Sequence, residues 1–407
     1  MSFGRDKRNV LVLSICQALF NSGRGLMFLA ATLVGANMLG ENLIFVTAPI
    51  TIMLVGTASG TLPAAHLMRL FGRKVGFVIG SVIGAGGCWI CYTSLPDNNF
   101  LLFNVGMFFY GIYSGFSQQY RFAVADAAPD NFKAKAISLV LAASVVGAVV
   151  GPETAKVTRN LFVDVEFAGS MLALIGLCLA TGLIVTFIDI PKLSREEYAD
   201  KGRPLLDIVA QPTFIVAFIA AAIGYVAMNI LMTATPLSMR LGSNFNFNDT
   251  ALVIEWHIIG MFAPGFFTGH LITRFGHIKV IFAGGLLLLL AVATALNGIT
   301  LTHFWVAMFL VGAGWNFTFT GGTALLTGVY TPSERNKVQG IYDFTVFSFM
   351  ALSSLSSGAI FHFLGWKWVN LSALPMVAIL LTATIWLAWI RRAAPQTAPV
   401  GGIDRLD

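Results

Sequence analysis

Long apolar runs separated by short polar stretches make up nearly the whole chain. A run of about 20 apolar residues, coiled as a helix, spans the hydrocarbon core of a bilayer. Such runs fall near residues 10–37, 43–65, 75–95, 100–125, 136–158 and 168–188. A second set falls near 212–236, 250–270, 278–299, 303–328, 338–362 and 368–390. The pattern predicts an all-α membrane protein with twelve transmembrane helices in two sets of six. Between the sets, Asp189 to Gln211 carries Lys192, Arg195, Glu196, Glu197, Asp200, Lys201, Arg203 and Asp207, and it reads as a solvated linker. The expected division is an N-terminal six-helix bundle over 1–188, a cytoplasmic linker over 189–211, a C-terminal six-helix bundle over 212–392 and a tail over 393–407.

The two sets repeat each other. Ala65-His66-Leu67-Met68-Arg69-Leu70-Phe71-Gly72-Arg73-Lys74 separates the second and third runs. Gly269-His270-Leu271-Ile272-Thr273-Arg274-Phe275-Gly276-His277-Ile278-Lys279 separates the eighth and ninth, an offset of 204 from 65 to 269. Both keep His-Leu, then Phe-Gly, then basic residues, and both read as short basic loops that hold His66, His270 and His277. Lys133 and Lys135 follow the fourth run as Arg335 and Lys337 follow the tenth. Equivalent loops with equivalent charges make the halves face the same way, a parallel repeat that points to pseudo-symmetric bundles.

Composition excludes a soluble protein. The chain is 57% hydrophobic and 11% charged, with a mean hydropathy of +0.79, against about 25% charged residues in soluble domains. Its net charge of +6 sits in short loops and sets topology rather than binding nucleic acid. Nineteen Lys and Arg residues fall on one side of the membrane and four, Lys156, Arg159, Arg240 and Lys367, on the other. Basic residues stay cytoplasmic, so both termini and the linker are expected there, in a plasma or inner membrane. Cys16, Cys88, Cys91 and Cys178 all lie in apolar runs, where packing outweighs redox or metal chemistry. Met1 to Asn9 is basic, but the run after it is too long for a cleavable signal. No Walker loop, zinc spacing or nucleophile–base set appears, so no cofactor, metal or enzyme activity is expected.

The two remaining arginines, Arg24 and Arg121, fall inside spans. An ionised side chain at the bilayer centre costs about 2.5–3.5 kcal/mol on insertion scales, so it faces a cavity or a partner. Gln17, Asn21 and Arg24 fall at i, i+4 and i+7, on one face of the first helix; this face lines a cavity or forms a polar seam between helices. Ser114, Gln118 and Arg121 repeat the pattern on the fourth helix, with Asp126 within reach of Arg121. Glu153, deep in the fifth helix, is expected to pair with Arg24 or Arg121, or to stay alone and bind a proton.

The second half offers uncharged stripes instead. Tyr225, Asn229 and Thr233 line the seventh helix, and Asn316, Thr320, Thr323 and Thr327 the tenth; both stripes can hydrogen-bond a solute. Glu255 and His257 are two apart on the eighth helix, so one of them at most faces a cavity at a given depth. His257 is a candidate proton site or a packing histidine. Trp256, Trp315, Phe317 and Phe319 form either an apolar cavity wall or a lipid-facing surface. Asp343, near the start of the eleventh helix, is expected to tie to Arg335 or Lys337.

Twelve helices in six plus six, with Leu67, Gly72, Arg73 and Lys74 between the second and third and Gly269, Leu271, Arg274 and Gly276 between the eighth and ninth, resemble the major facilitator superfamily. The family's loop motif runs Gly-x-Leu-x-Asp-Arg-x-Gly-Arg-Lys. Here Ala65 replaces the first glycine, and Arg69 and Thr273 replace the acid. The resemblance implies a gating role for Arg69, Gly72, Arg73, Lys74 and Gly276, with Asp126 or Asp343 supplying the missing acid. Gly147-Ala-Val-Val-Gly151-Pro152 resembles the family's antiporter-type motif. Ala143, Gly147 and Gly151 also make a smooth stripe for close helix approach, and Pro152 adds a bend. Glu153-Thr154 stands where the motif continues with glycines.

The resulting expectation is a monomeric secondary active transporter. It moves a small organic solute by alternating access, coupled to protons, with antiport export suggested by the helix-5 motif. Import of an organic anion by symport is the alternative. The rival class is a non-transporting membrane sensor or partner protein, whose polar stripes would pack against one another.

Overall fold

A computed structural model describes residues 3–39, 48–129, 131–162, 164–190, 202–239, 243 and 245–393. Among them there is no β-strand. Within the described residues twelve helices cross the molecule: α1 (Phe3–Leu39), α2 (Ala48–Phe71), α3 (Arg73–Ser94), α4 (Phe100–Ala127), α5 (Lys133–Thr158) and α6 (Ala168–Phe187), then α7 (Pro212–Leu237), α8 (Phe247–Phe262 with Gly265–Phe275), α9 (His277–Asn297), α10 (Leu301–Leu326), α11 (335–364) and α12 (366–393). Arg240, the linker residues 191–201, Pro152's side chain and the tail from 394 lie outside the described residues.

The helix starts follow local chemistry. After Pro96-Asp97-Asn98 turns the chain, Asn99 caps α4 by accepting from the Leu102 N–H. Asn246 caps α8 through the Asp249 N–H. Each cap satisfies a donor that the helix itself leaves free. The two repeated basic segments are not loops. α2 runs to Phe71 and α3 begins at Arg73, so Gly72 alone makes the turn, at φ 89°. Gly276 does the same between α8 and α9, at φ 87°. Positive φ costs a side chain its steric freedom, which is why glycine holds both corners. His66, His270 and His277 therefore sit at helix ends.

The start of α1, the end of α6, the residues from 202 to the start of α7 and the end of α12 share one end of the molecule, called here the linker end. Asn9 at the start of α1 exchanges hydrogen bonds with Asp189 after α6, donating to its carbonyl at 3.0 Å and accepting from its N–H at 2.8 Å. Arg391 at the end of α12 reaches Thr213 at the start of α7. At this end Arg203 clasps Glu334, between α10 and α11, with its guanidinium at 2.7 and 2.8 Å and its own N–H at 2.8 Å. Hydrogen bonding from Arg203 holds the Glu334 carboxyl well below the usual carboxylate range. The clasp therefore persists at neutral pH and weakens only as the pH falls through that lowered value.

Within the first bundle, α5 lies directly on the backbone of α1. A Cβ on Gly147 would stand 2.6 Å from the Asn21 carbonyl carbon, and one on Gly151 2.6 Å from the Ser22 oxygen. Small residues let helices approach this closely where lipid offers no hydrophobic drive. Between bundles, α2 meets α11 where Gly340 lies on Ala65, and α5 meets α8 where Gly269 lies on Lys135. Both junctions belong to the linker end. Large apolar side chains such as Leu101 and Trp389 are exposed around the outside, as a bilayer requires. Gly147→Val should cost about 1–3 kcal/mol through overpacking. Fluorescence-detected size-exclusion thermal scans would read that loss, and an unchanged midpoint would contradict the α1–α5 contact.

Candidate functional site

Arg73, Arg121, Asp126, Arg335 and Asp343 gather where the bundles meet. Arg73 Nη2 donates to Asp126 at 2.7 Å, and Asp126 also lies 3.7 Å from Arg335. Asp126 thus supplies the acid that the Gly-x-Leu segment lacks. Arg73 donates further to Gln119 at 3.0 Å and, across the interface, to Gln339. Gln119 then donates to Asp343 at 3.0 Å. Arg121 completes the chain by pairing with Asp343; their side chains are 1% and 0% exposed. The result is one connected set, Arg335–Asp126–Arg73–Gln119–Asp343–Arg121, with three contacts between the first bundle and α11.

A local feature of α4 makes this geometry. Its turn tightens at Gln118 and Gln119, where Gln119 N bonds the Phe116 carbonyl and Phe122 N bonds that of Gln119. Both are i→i+3 bonds, typical of a tightened turn. The Gln118 carbonyl is left to accept from Arg121 at 2.9 Å, and the Gln118 side chain accepts from it at 3.0 Å. The Arg121 guanidinium also lies over the rings of Phe122 and Phe319, both 4.6 Å from the centroid, a cation–π contact on each side.

Several expectations need correction. Asp343 ties to Arg121 and Gln119 rather than to Arg335 or Lys337, because it sits further along α11 and faces α4. Arg121 is consequently neutralised and offers no free charge. Glu153 is not deep: its side chain is 59% exposed and bonds Lys156 one turn on, at 2.6 Å. It reaches neither arginine, because Gly147 and Gly151 take the inner face of α5. Gln17 and Asn21 both bond Ser144 of α5, at 3.0 and 2.9 Å, which makes them a seam inside the first bundle. Asn229 bonds Ser353 at 3.0 Å. Asn316 donates to the Met261 carbonyl at 2.7 Å and accepts from Thr268, bracing the break in α8 at Ala263 and Pro264. His257 is buried, with Nδ1 bonded to the Met308 carbonyl at 2.8 Å, while Glu255 is exposed. Thr320 is buried with its hydroxyl unpartnered. Lys74 is exposed on α3.

Arg24 stands apart from these pairs. It is half-buried, and among the described residues no carboxylate lies within ion-pair distance of it. Its guanidinium sits 5.5 Å from the Phe28 ring and within interaction range of Tyr225 on α7 of the other bundle. Tyr225 belongs to an aromatic wall. Trp315 and Phe319, one turn apart on α10, stack at 5.1 Å, and Tyr225 meets them edge-on at 5.2 and 4.8 Å. Phe262 closes on Trp315 from α8, and Phe347 on Tyr225 from α11. The Trp315 Nε1–H is buried without a partner, unusual for a tryptophan so enclosed. By contrast Trp256 and Phe317 take the lipid-facing alternative, partly exposed on the outer faces. Gln119, Gln339 and Ser144 were not singled out from sequence. Only the polar pair Gln118-Gln119 inside an apolar run signalled one of them.

Known proteins match the chain along its length. The family model described as Major Facilitator Superfamily matches residues 13–263 and 217–405. A riboflavin transporter of Brucella anthropi is 39% identical over 93% of this chain and 95% of its own. An uncharacterised MFS-type transporter of Bacillus subtilis is 28% identical over 87% of this chain and 85% of its own. Among solved structures, the human organic anion transporter MFSD10 superposes with a TM-score of 0.72 at 13% identity, covering 93% of this chain and 99% of that one. The transporter FucP in its outward conformation gives 0.72 at 13% identity, covering 93% and 98%. The helices, their parallel repeat and these matches together make the chain a member of the Major Facilitator Superfamily, an integral membrane protein that works as a secondary transporter.

Proposed function

We propose that this transporter carries riboflavin, or a solute with the same flat, carbonyl-edged heteroaromatic ring. The observation that carries the reading is Arg24, with no carboxylate partner among the described residues, within interaction range of Tyr225, which packs edge-on against Trp315 and Phe319. An isoalloxazine ring is broad and planar, and aromatic faces favour stacking on it. Its pyrimidine edge presents two carbonyl oxygens, acceptors suited to the Arg24 guanidinium and to the unpartnered Trp315 Nε1–H. Hydrogen bonds involving a charged group contribute about 1.5–3 kcal/mol each. The Brucella anthropi riboflavin transporter, similar over nearly the whole chain, supports the same solute. A monoanionic organic solute is the second reading, favoured by the same unneutralised cation.

The proposed setting is a plasma or inner membrane with the linker end in the cytoplasm, supported by the nineteen-to-four distribution of basic residues. The proposed coupling ion is the proton, carried at Asp343. Parting the bundles at the linker end removes Arg121 from Asp343, and a lone buried carboxylate is strongly disfavoured. Protonating Asp343 relieves that cost and links proton movement to opening. Export by antiport retains only the resemblance of the Gly147–Pro152 segment in its favour, since both glycines are occupied in packing on α1.

Riboflavin fluorescence should quench on titration with purified protein as the ring stacks. Arg24→Ala should weaken that binding about tenfold or more, and Trp315→Ala likewise. Saturable binding of organic anions with no response to riboflavin would move the assignment to the second reading, and binding of neither would end both. In proteoliposomes an imposed pH gradient should accelerate flux through the native protein. Asp343→Asn should carry riboflavin without responding to the gradient. On the stability side, Asp343→Leu should cost about 3–5 kcal/mol by stranding Arg121, whereas Arg121→Leu with Asp343→Leu should recover most of it. Thermal unfolding of the two variants checks this, and a double variant no better than the single would refute the pairing.

A further inference from the structure

The turn between α10 and α11 binds Arg203 through both its main chain and its side chain. The Arg203 N–H and Nε donate to Glu334 Oε1, each at 2.8 Å, and Nη2 donates to Oε2 at 2.7 Å. Nη2 also reaches the Val329 carbonyl at 2.8 Å, and the Arg203 carbonyl accepts from Lys337 Nζ at 2.6 Å. The Thr331 N–H adds a bond to Oε2 at 3.0 Å. Each Glu334 oxygen therefore accepts from two donors, and the side chain is 1% exposed. The approach is so close that Gly202 stands before Arg203 at φ 59°, where a Cβ would overlap Glu334 Cγ.

Glu334 is also the residue from which α11 starts. Its carbonyl accepts the Val338 N–H at 3.1 Å and closes the first turn. Arg335, Gln339 and Asp343 follow four residues apart, on one face of the helix. That face makes the polar contacts with the first bundle: Arg335 with Asp126, Gln339 with Arg73, and Asp343 with Arg121 and Gln119. A helix end frays when its terminal groups lose their partners. Each frayed residue must then be ordered again at a cost in backbone entropy.

We propose that Arg203 is a positioning residue of the transport cycle: its clasp on Glu334 fixes the first turn of α11, so that Arg335, Gln339 and Asp343 meet the first bundle together and the linker end closes. The clasp joins the linker to the second bundle and lies outside the contact between bundles, so opening does not have to break it. Its effect is preorganisation. With Arg203 in place, α11 reaches α2 and α4 already ordered. Without the guanidinium, the buried Glu334 carboxylate loses two of its four donors, and a buried charge left so is strongly disfavoured. The first turn then frays in the open state, and closing must order it again. Arg335, next to Glu334 and 3.7 Å from Asp126, is the contact nearest the lost support. This inference depends on neither the solute nor the coupling ion.

The test places spin labels at Lys74→Cys in the first bundle and Lys279→Cys in the second, both exposed at the linker end, in the full chain without solute. The four native cysteines are buried and leave the labels to these two sites. Double electron–electron resonance reads the short distance of the closed linker end and the longer one of the open. Arg203→Gln should raise the open-to-closed ratio about tenfold, and Arg203→Lys, which keeps the charge but not the fork, about threefold. Should Arg203→Gln fail to fold, Arg203→Lys against the native side chain carries the same comparison. Glu334→Gln added to Arg203→Gln should raise the ratio no further, because both act on one contact. Two effects that multiply in the double variant would overturn the proposal. So would an unchanged distance distribution on loss of the guanidinium, even with a lowered melting temperature, since the clasp would then be a structural tie alone.

Discussion

The molecule turns on two buried ion pairs joined by one glutamine. Arg73–Asp126 lies within the first bundle, Arg121–Asp343 spans both, and Gln119 donates to one pair while accepting from the other. Charges removed from water in a membrane span are costly unless paired and hydrogen-bonded. That condition fixes much else. It requires α4 to tighten at Gln118, so that Arg121 and Gln119 reach different partners. It requires α11 to approach α2 closely enough for Gly340 to rest on Ala65. The linker end is shut because shutting it satisfies these groups.

This constraint also separates the work of the two arginines that the sequence places inside spans. Arg121 is held by a carboxylate and sandwiched between Phe122 and Phe319; its role is to join the bundles. Arg24 has no carboxylate partner among the described residues and lies within interaction range of Tyr225 across the interface. A transporter needs both kinds of group. One set must be satisfied within the protein in a given state, and another must wait for the solute. The polar stripes on α1, α7 and α10 belong mostly to the first kind, as a non-transporting protein would also arrange them. The stack of Trp315 and Phe319, with its unpartnered indole N–H, is what the proposed solute site rests on.

The family's loop motif lost its acid in both copies here, yet Arg73 still finds a carboxylate. Asp126 reaches it from the end of α4, and Arg335 shares the same oxygen. Among the described residues no such arrangement surrounds Gly276, where Thr273 and Arg274 are exposed. Sequence repetition thus preserved the single-glycine corner in both halves, while the ionic contact is built in the first half alone. The corner depends only on backbone φ; the ion pair depends on what another helix brings.

The sequence by itself determined the number and order of the spans, their parallel repetition and the rarity of charge inside them. These follow from bilayer thickness and the cost of burying ions, which are local properties of composition. Helix ends were also legible where an asparagine or a glycine marks them, although the basic segments proved to be corners of one residue. The partners of the buried polar groups were decided only by the tertiary structure. Periodicity put Gln17, Asn21 and Arg24 on one face, but the first two meet Ser144 and the third meets the other bundle. Glu153 looked buried from its depth along α5, yet the rotation of that helix, set by Gly147 and Gly151 against α1, turns it outward. Position along a helix is written in the chain, whereas the direction a side chain faces is set by the helices packed beside it.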